Sequence, residues 1–177
     1  MDRRSARRKA RETAFCLIYQ ASFDGGDFEA LYGGTHGMCA ENTWEESGAG
    51  GFYINEADYK NPAHYAEDLK YVKGVFETAR ENGAAIEAFI AECSKGWKNE
   101  RISRVSMAIL RLAVCEMLYL PSVPVNIAIN EAVGLAKKYD ADGAPAFVNG
   151  VLGAIEKLYK PFVEKDEDRV DREGKAE

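Results

Sequence analysis

The sequence has little of what catalysis and metal binding require. Its only histidines are His36 and His64, and neither has a ligating partner one helical turn away. No HExxH pair, GxSxG elbow, GxxxxGK[ST] phosphate cradle or strand-linked GxGxxG occurs. The expectation is a protein without enzymatic activity, cofactor or metal. The four cysteines, at 16, 39, 93 and 115, form no CxxC and no close pair, which argues against a disulfide framework. Cys16 and Cys115 fall in apolar helical patterns and read as small core hydrophobes. No apolar run approaches the roughly 18 residues of a membrane span. The basic N-terminus lacks the apolar stretch that follows in a signal peptide. A reduced, cytoplasmic protein is expected.

What the sequence does have is an uneven charge. The net charge is −6 over 177 residues and the pI about 5.1, unlike the basic footprint common among nucleic-acid binders. Residues 1–11, however, carry Arg3, Arg4, Arg7, Arg8, Lys9 and Arg11 against Asp2 alone, a net of +5. Residues 164–177 carry −3, leaving −8 for the middle. A basic arm on an acidic body is the asymmetry to explain.

Hydrophobic periodicity points to helices throughout. Residues 5–21 lack proline and glycine, and Ala10, Ala14, Leu17, Ile18 and Ala21 form an apolar stripe; Arg4, Arg8 and Arg11 share a face. Residues 22–62 read as a long, acidic surface insertion, punctuated by Gly25-Gly26, Gly33-Gly34 and Gly50-Gly51. A short helix is expected near Phe28–Tyr32, with the rest partly disordered. The aromatic cluster Phe52, Tyr53 and Tyr59, with Ile54, could instead fold back on the body. Further helices follow at 63–82, 84–95, 102–119, 124–139 and 145–160, with a turn at Trp97 and Pro161 as the final stop. Tyr159 is expected to face inward. The segment 164–177 reads as a charged, disordered tail. No run alternates with period two for long enough to make a strand. The fold class expected is all-α: a single domain over 1–163 built from about six to seven helices.

Six cations in eleven residues can neutralise phosphates and release counterions, and arginine adds a planar fork suited to phosphates and to stacking. Cations at a helix N-terminus are electrostatically unfavourable, so the arrangement asks for a reason. By itself it leaves RNA binding and mere solubility about equally open. Among the acids, Glu116 and Glu131 sit beside apolar positions and read as buried polar contacts rather than acid–base groups.

Two stretches are more specific. ARRKARETAFCLIYQASF at 6–23 and SMAILRLAVCEMLYLPSVPVNIAINEAVGLAKKYDADGAPAFVNGVLGAIEKL at 106–158 together resemble the NusB family of bacterial transcription antitermination factors. The resemblance covers residues 3–21 and about 63–160. It implies two small helical bundles sharing a long axis and no enzymatic activity. It implies pairing with NusE, a ribosomal protein, and binding of boxA-type RNA, acting with other Nus factors on RNA polymerase to support ribosomal RNA transcription. The family's arginine-rich motif falls on Arg7, Arg8, Lys9 and Arg11, extended by Arg3 and Arg4. Tyr19 and Phe147 fall on aromatic positions that serve packing or RNA contact. Asn130, Glu131 and Asn149 are expected to be buried hydrogen-bonding positions. Ser106 departs from the acid that many members carry there.

Two other readings stay open. One is a protein-interaction module, such as a homodimer, that never touches RNA. The other is the NusB-like part of a ribosomal RNA methyltransferase, for which no catalytic domain follows residue 163. With four to six cations on single-stranded RNA, the salt slope of log affinity is expected on the order of −3 to −4. The acidic insertion could occupy the basic arm when RNA is absent; deleting residues 24–58 is then expected to tighten binding.

Overall fold

The computed structural model describes residues 1–32, 53–95 and 102–173, with the backbone alone for residues 24 and 159–173. His36, Cys39, Phe52, Trp97 and the Tyr159 side chain lie outside the described residues. Six long helices carry the fold: α1 (Arg3–Asp24), α2 (Pro62–Glu81), α3 (Gly83–Ser94), α4 (Arg104–Tyr119), α5 (Val125–Tyr139) and α6 (Ala144–Glu173). The described residues contain no strand.

α1 begins at Asp2, whose carboxylate accepts from the Ser5 N–H at 3.0 Å and the Ser5 hydroxyl at 2.8 Å. These bonds hold the Asp2 carboxyl below its ordinary pKa, the backbone bond foremost. The helix ends at Gly25, whose φ of 68° lies where a side chain would strain the backbone, and its N–H closes onto the Ala21 carbonyl. α2 starts with Asn61 as cap and Pro62 in the first turn, where the missing N–H costs nothing.

α4 is the shared axis. From Ser106 to Met117 nearly every residue is buried, as expected of a helix apolar on all sides. α1 and α2 pack on one side of it, and α3, α5 and α6 on the other. This is the two-bundle arrangement that the family resemblance implies.

Three expectations change. First, α6 runs past Pro161 to Glu173. An interior proline forfeits one backbone hydrogen bond at a cost of about 3 kcal/mol, but the flanking Glu, Lys and Arg residues are good helix formers. Second, both ends of the span 22–62 belong to the body. α1 continues to Asp24, the short helix expected near Phe28–Tyr32 is present at 28–32, and Phe28, Tyr32 and Ile54 are buried. The Ile54 N–H donates to Thr13 Oγ1, and its carbonyl accepts from the Tyr32 hydroxyl, both at 3.0 Å. Tyr53, Ile54 and Tyr59 thus fold back on the body, as the alternative reading allowed. Third, Asn130 and Asn149 are exposed, not buried. They lie on the outer sides of α5 and α6, so the buried role read from the family motifs does not hold for them.

Candidate nucleic-acid interface

The arginine-rich segment is the first turns of α1, not a free arm, and its cations divide by partner. Arg11 is inside the protein, 5% exposed. Its Nε donates to both Glu116 carboxylate oxygens, at 2.9 and 3.1 Å, and its Nη1 lies 3.7 Å from Glu131. The Tyr71 hydroxyl donates to the same Glu116 at 2.7 Å. Burial first, and then the Glu116 charge, push the Tyr71 phenol well above its ordinary pKa. Glu116 therefore has the buried structural role read from sequence. Arg11 stays on the side of α1 that it shares with Arg8, both reaching Glu131, but α4 and α5 cover that side two turns into the helix.

Arg3 and Arg7 converge on Asp68 of α2, which is fully buried. Arg3 donates to Asp68 at 2.7 Å and to Glu67 at 2.8 Å. Arg7 stands 3.0 Å from the other Asp68 oxygen, with its guanidinium 4.7 Å from the centre of the Tyr71 ring. The Tyr59 hydroxyl completes the cluster, donating to Asp68 at 3.1 Å. Burial and the Asp68 charge together raise the Tyr59 pKa. Lys9 meets Asp58 at 2.6 Å, so an acid from the span read as an insertion does occupy part of the basic segment.

Arg4 and Arg8 are left at the surface. The Arg8 side chain is 60% exposed and reaches Glu131 at 3.3 Å; such an exposed pair is worth about 0–1 kcal/mol and is readily exchanged for another anion. Arg4 is exposed with no carboxylate within ion-pair distance among the described residues. Tyr19 is half-buried against the core, 6.3 Å from Phe15 and 5.0 Å from Phe23 between ring centres. Phe147 is half-buried in the first turn of α6, across the 140–143 turn from Tyr139, which packs on Phe15. Both aromatics pack and both keep surface.

Sequence reasoning missed Asp68 and Tyr71, having taken most acids for solvated helix faces. The signal was present: Asp68 falls on the apolar stripe with Tyr65, Leu69, Val72 and Val75, where an acid needs a cation.

The Ser106 departure has a local explanation. Ser103 and Ser106 both donate to Asp140 at 2.6 Å, tying the start of α4 to the end of α5. Burial opposes the charged form of Asp140, but these two bonds and the Ala141 N–H outweigh it and hold the carboxyl below 3.8. The contribution is fully present above the unfolded value near 3.8 and is lost as pH falls through the lower folded value. Asp140→Asn should thus lower Tm at neutral pH, and the gap from wild type should close as the pH falls through and below the ordinary aspartate range. A gap independent of pH in thermal melts would contradict this assignment.

The described residues hold no cluster of His, Cys, Asp or Glu suited to a metal, and no helix long and apolar enough to cross a membrane. Burial pushes the Cys16 and Cys115 thiols up to about 12, which leaves them unreactive at neutral pH.

Comparison with known proteins agrees with this geometry. The NusB family model matches residues 8–157. A transcription antitermination protein NusB of Acetivibrio thermocellus is 39% identical over 163 residues, spanning 92% of this chain and 97% of that protein. That of Geotalea uraniireducens is 39% identical over 154 residues, spanning 87% of this chain and 96% of that protein. A crystal structure of antitermination factors NusB and NusE in complex with double-stranded RNA superimposes with a TM-score of 0.64 at 28% identity, covering 88% of this chain and 98% of that one. With helix order, shared central helix and basic α1 all in place, the chain belongs to the NusB family.

Proposed function

We propose that this chain is a non-catalytic RNA-binding transcription antitermination factor. It pairs with the ribosomal protein NusE to hold boxA-type RNA, and acts through other Nus factors on RNA polymerase in support of ribosomal RNA transcription. The observation that carries the reading is the surface pair Arg4 and Arg8 on the rigid first turns of α1, in a member of a family whose relatives bear the antitermination name. The solved relative with NusE and double-stranded RNA supports both ligands. Arg4, Arg8 and the rim of Lys9 supply phosphate contacts. Arg3 and Arg7 add charge while anchored on Asp68, and Tyr19 and Phe147 offer aromatic surface to bases. Arg11 holds the helix that presents them.

The test is binding of a boxA-containing RNA against a scrambled one, with and without NusE. The double variant Arg4→Ala/Arg8→Ala leaves the buried ion pairs intact. It should weaken binding at least tenfold and flatten the salt slope by about 1.4, at roughly 0.7 per lost phosphate contact on single-stranded RNA. An unchanged slope with unchanged affinity would reject the reading in favour of a protein-interaction module.

A further inference from the structure

Phe23 is 52% exposed, an aromatic ring that the core leaves outside. It lies at the C-terminal end of α1, one turn after the half-buried Tyr19 and two turns after the buried Phe15. Arg4 and Phe23 lie about 29 Å apart along the axis of α1. Tyr19 meets the Phe23 ring edge-on at 5.0 Å. The Arg104 guanidinium lies over the ring, 4.4 Å from its centre.

Arg104 has no carboxylate partner among the described residues, although it stands in the first turn of α4, where a cation is disfavoured by the helix dipole. Two turns further in, Arg111 pairs with Glu87, while its Nε is buried with no hydrogen-bond partner. Ser22, Arg104, Met107 and Arg111 line a cavity of 260 Å³ between α1 and α4. An open aromatic ring flanked by a cation lacking its counter-charge is the pattern by which proteins hold unpaired nucleotides, the ring taking a base and the guanidinium a phosphate. A duplex hides its base faces, so the ring selects an unpaired base.

We infer that Phe23, Arg104 and Arg111 form a second RNA contact at the far end of α1, separate from Arg4 and Arg8, which stacks one unpaired base and holds its phosphate. This inference rests on the RNA-binding reading above and adds a site to it.

The experiment compares two RNAs on the full chain with NusE: a boxA core alone, and the same core extended at both ends by unpaired nucleotides. Wild type should bind the extended RNA more tightly. Phe23→Ala should lose about five- to a hundredfold on the extended RNA and little on the core. Phe23→Tyr should retain the gain. Arg104→Gln should lower the salt slope on the extended RNA alone by about 0.7. Equal binding of both RNAs by wild type, or a Phe23→Ala variant with no loss, overturns the inference. If Arg4→Ala/Arg8→Ala still weakens both RNAs in that case, the functional reading stands without the second contact. If that double variant loses nothing either, the functional reading falls as well.

Discussion

Arg11→Ala should destabilise the protein by about 3–5 kcal/mol, because it leaves the Glu116 carboxylate buried without its cation. For a chain of this size that is a fall in Tm of roughly 6–20 °C. Tyr71 would still donate one hydrogen bond to Glu116, which does not replace a charge. Loss of RNA binding in such a variant would report unfolding and not a missing phosphate contact. A triple replacement of Arg7, Arg8 and Arg11, the natural choice from sequence, therefore mixes two effects. Arg11→Met combined with Glu116→Gln removes both charges and keeps an acceptor for Tyr71, so it should recover most of the stability. Thermal melts of the single and double variants check this. A single variant that melts within 2 °C of wild type, a margin of about 1 kcal/mol or less, would show that the pair is not structural.

Ile54→Ala should cost about 2–5 kcal/mol, the range for emptying a fully buried aliphatic position. Ile54→Val should cost only about 0.5–1.5 kcal/mol. The size of the first effect would confirm that residue 54 fills the core between α1 and the 28–32 helix, in a span that reads as a surface insertion. Denaturant titration measures both. The same geometry changes how occupancy of the basic segment should be tested. Deleting residues 24–58 would remove Phe28, Tyr32 and Ile54 from the core together with Asp58. Asp58→Asn frees Lys9 alone and leaves the core in place, so it is the variant in which tighter RNA binding would be meaningful.

Two of the expectations that changed leave the neighbouring elements out. Pro161 reads as a helix stop from its own segment, and the asparagines at 130 and 149 read as buried from their match to the family motifs. What overrides those readings lies outside them: the length of good helix formers on either side of Pro161, and the side of α5 and α6 that faces away from α4. Asp68 was passed over for the same reason. A single acid on an apolar stripe is ambiguous until the arginines that neutralise it, more than sixty residues away along the chain, are brought alongside.

The sequence by itself determined the helices, the all-α class and the family, because 3.6-residue periodicity and long ordered motifs are local properties that one chain displays in full. It also determined that the cations cluster at the start of α1. Only the tertiary structure decided what each cation does. Helix packing sets which side chains meet an acid from another element, so Arg11 became a buried strut on Glu116, Arg3 and Arg7 closed on Asp68, and Arg4 and Arg8 stayed at the surface, Arg8 on an exposed pair with Glu131. It also set Arg104 over Phe23, eighty-one positions apart in sequence, a pairing that no periodicity encodes.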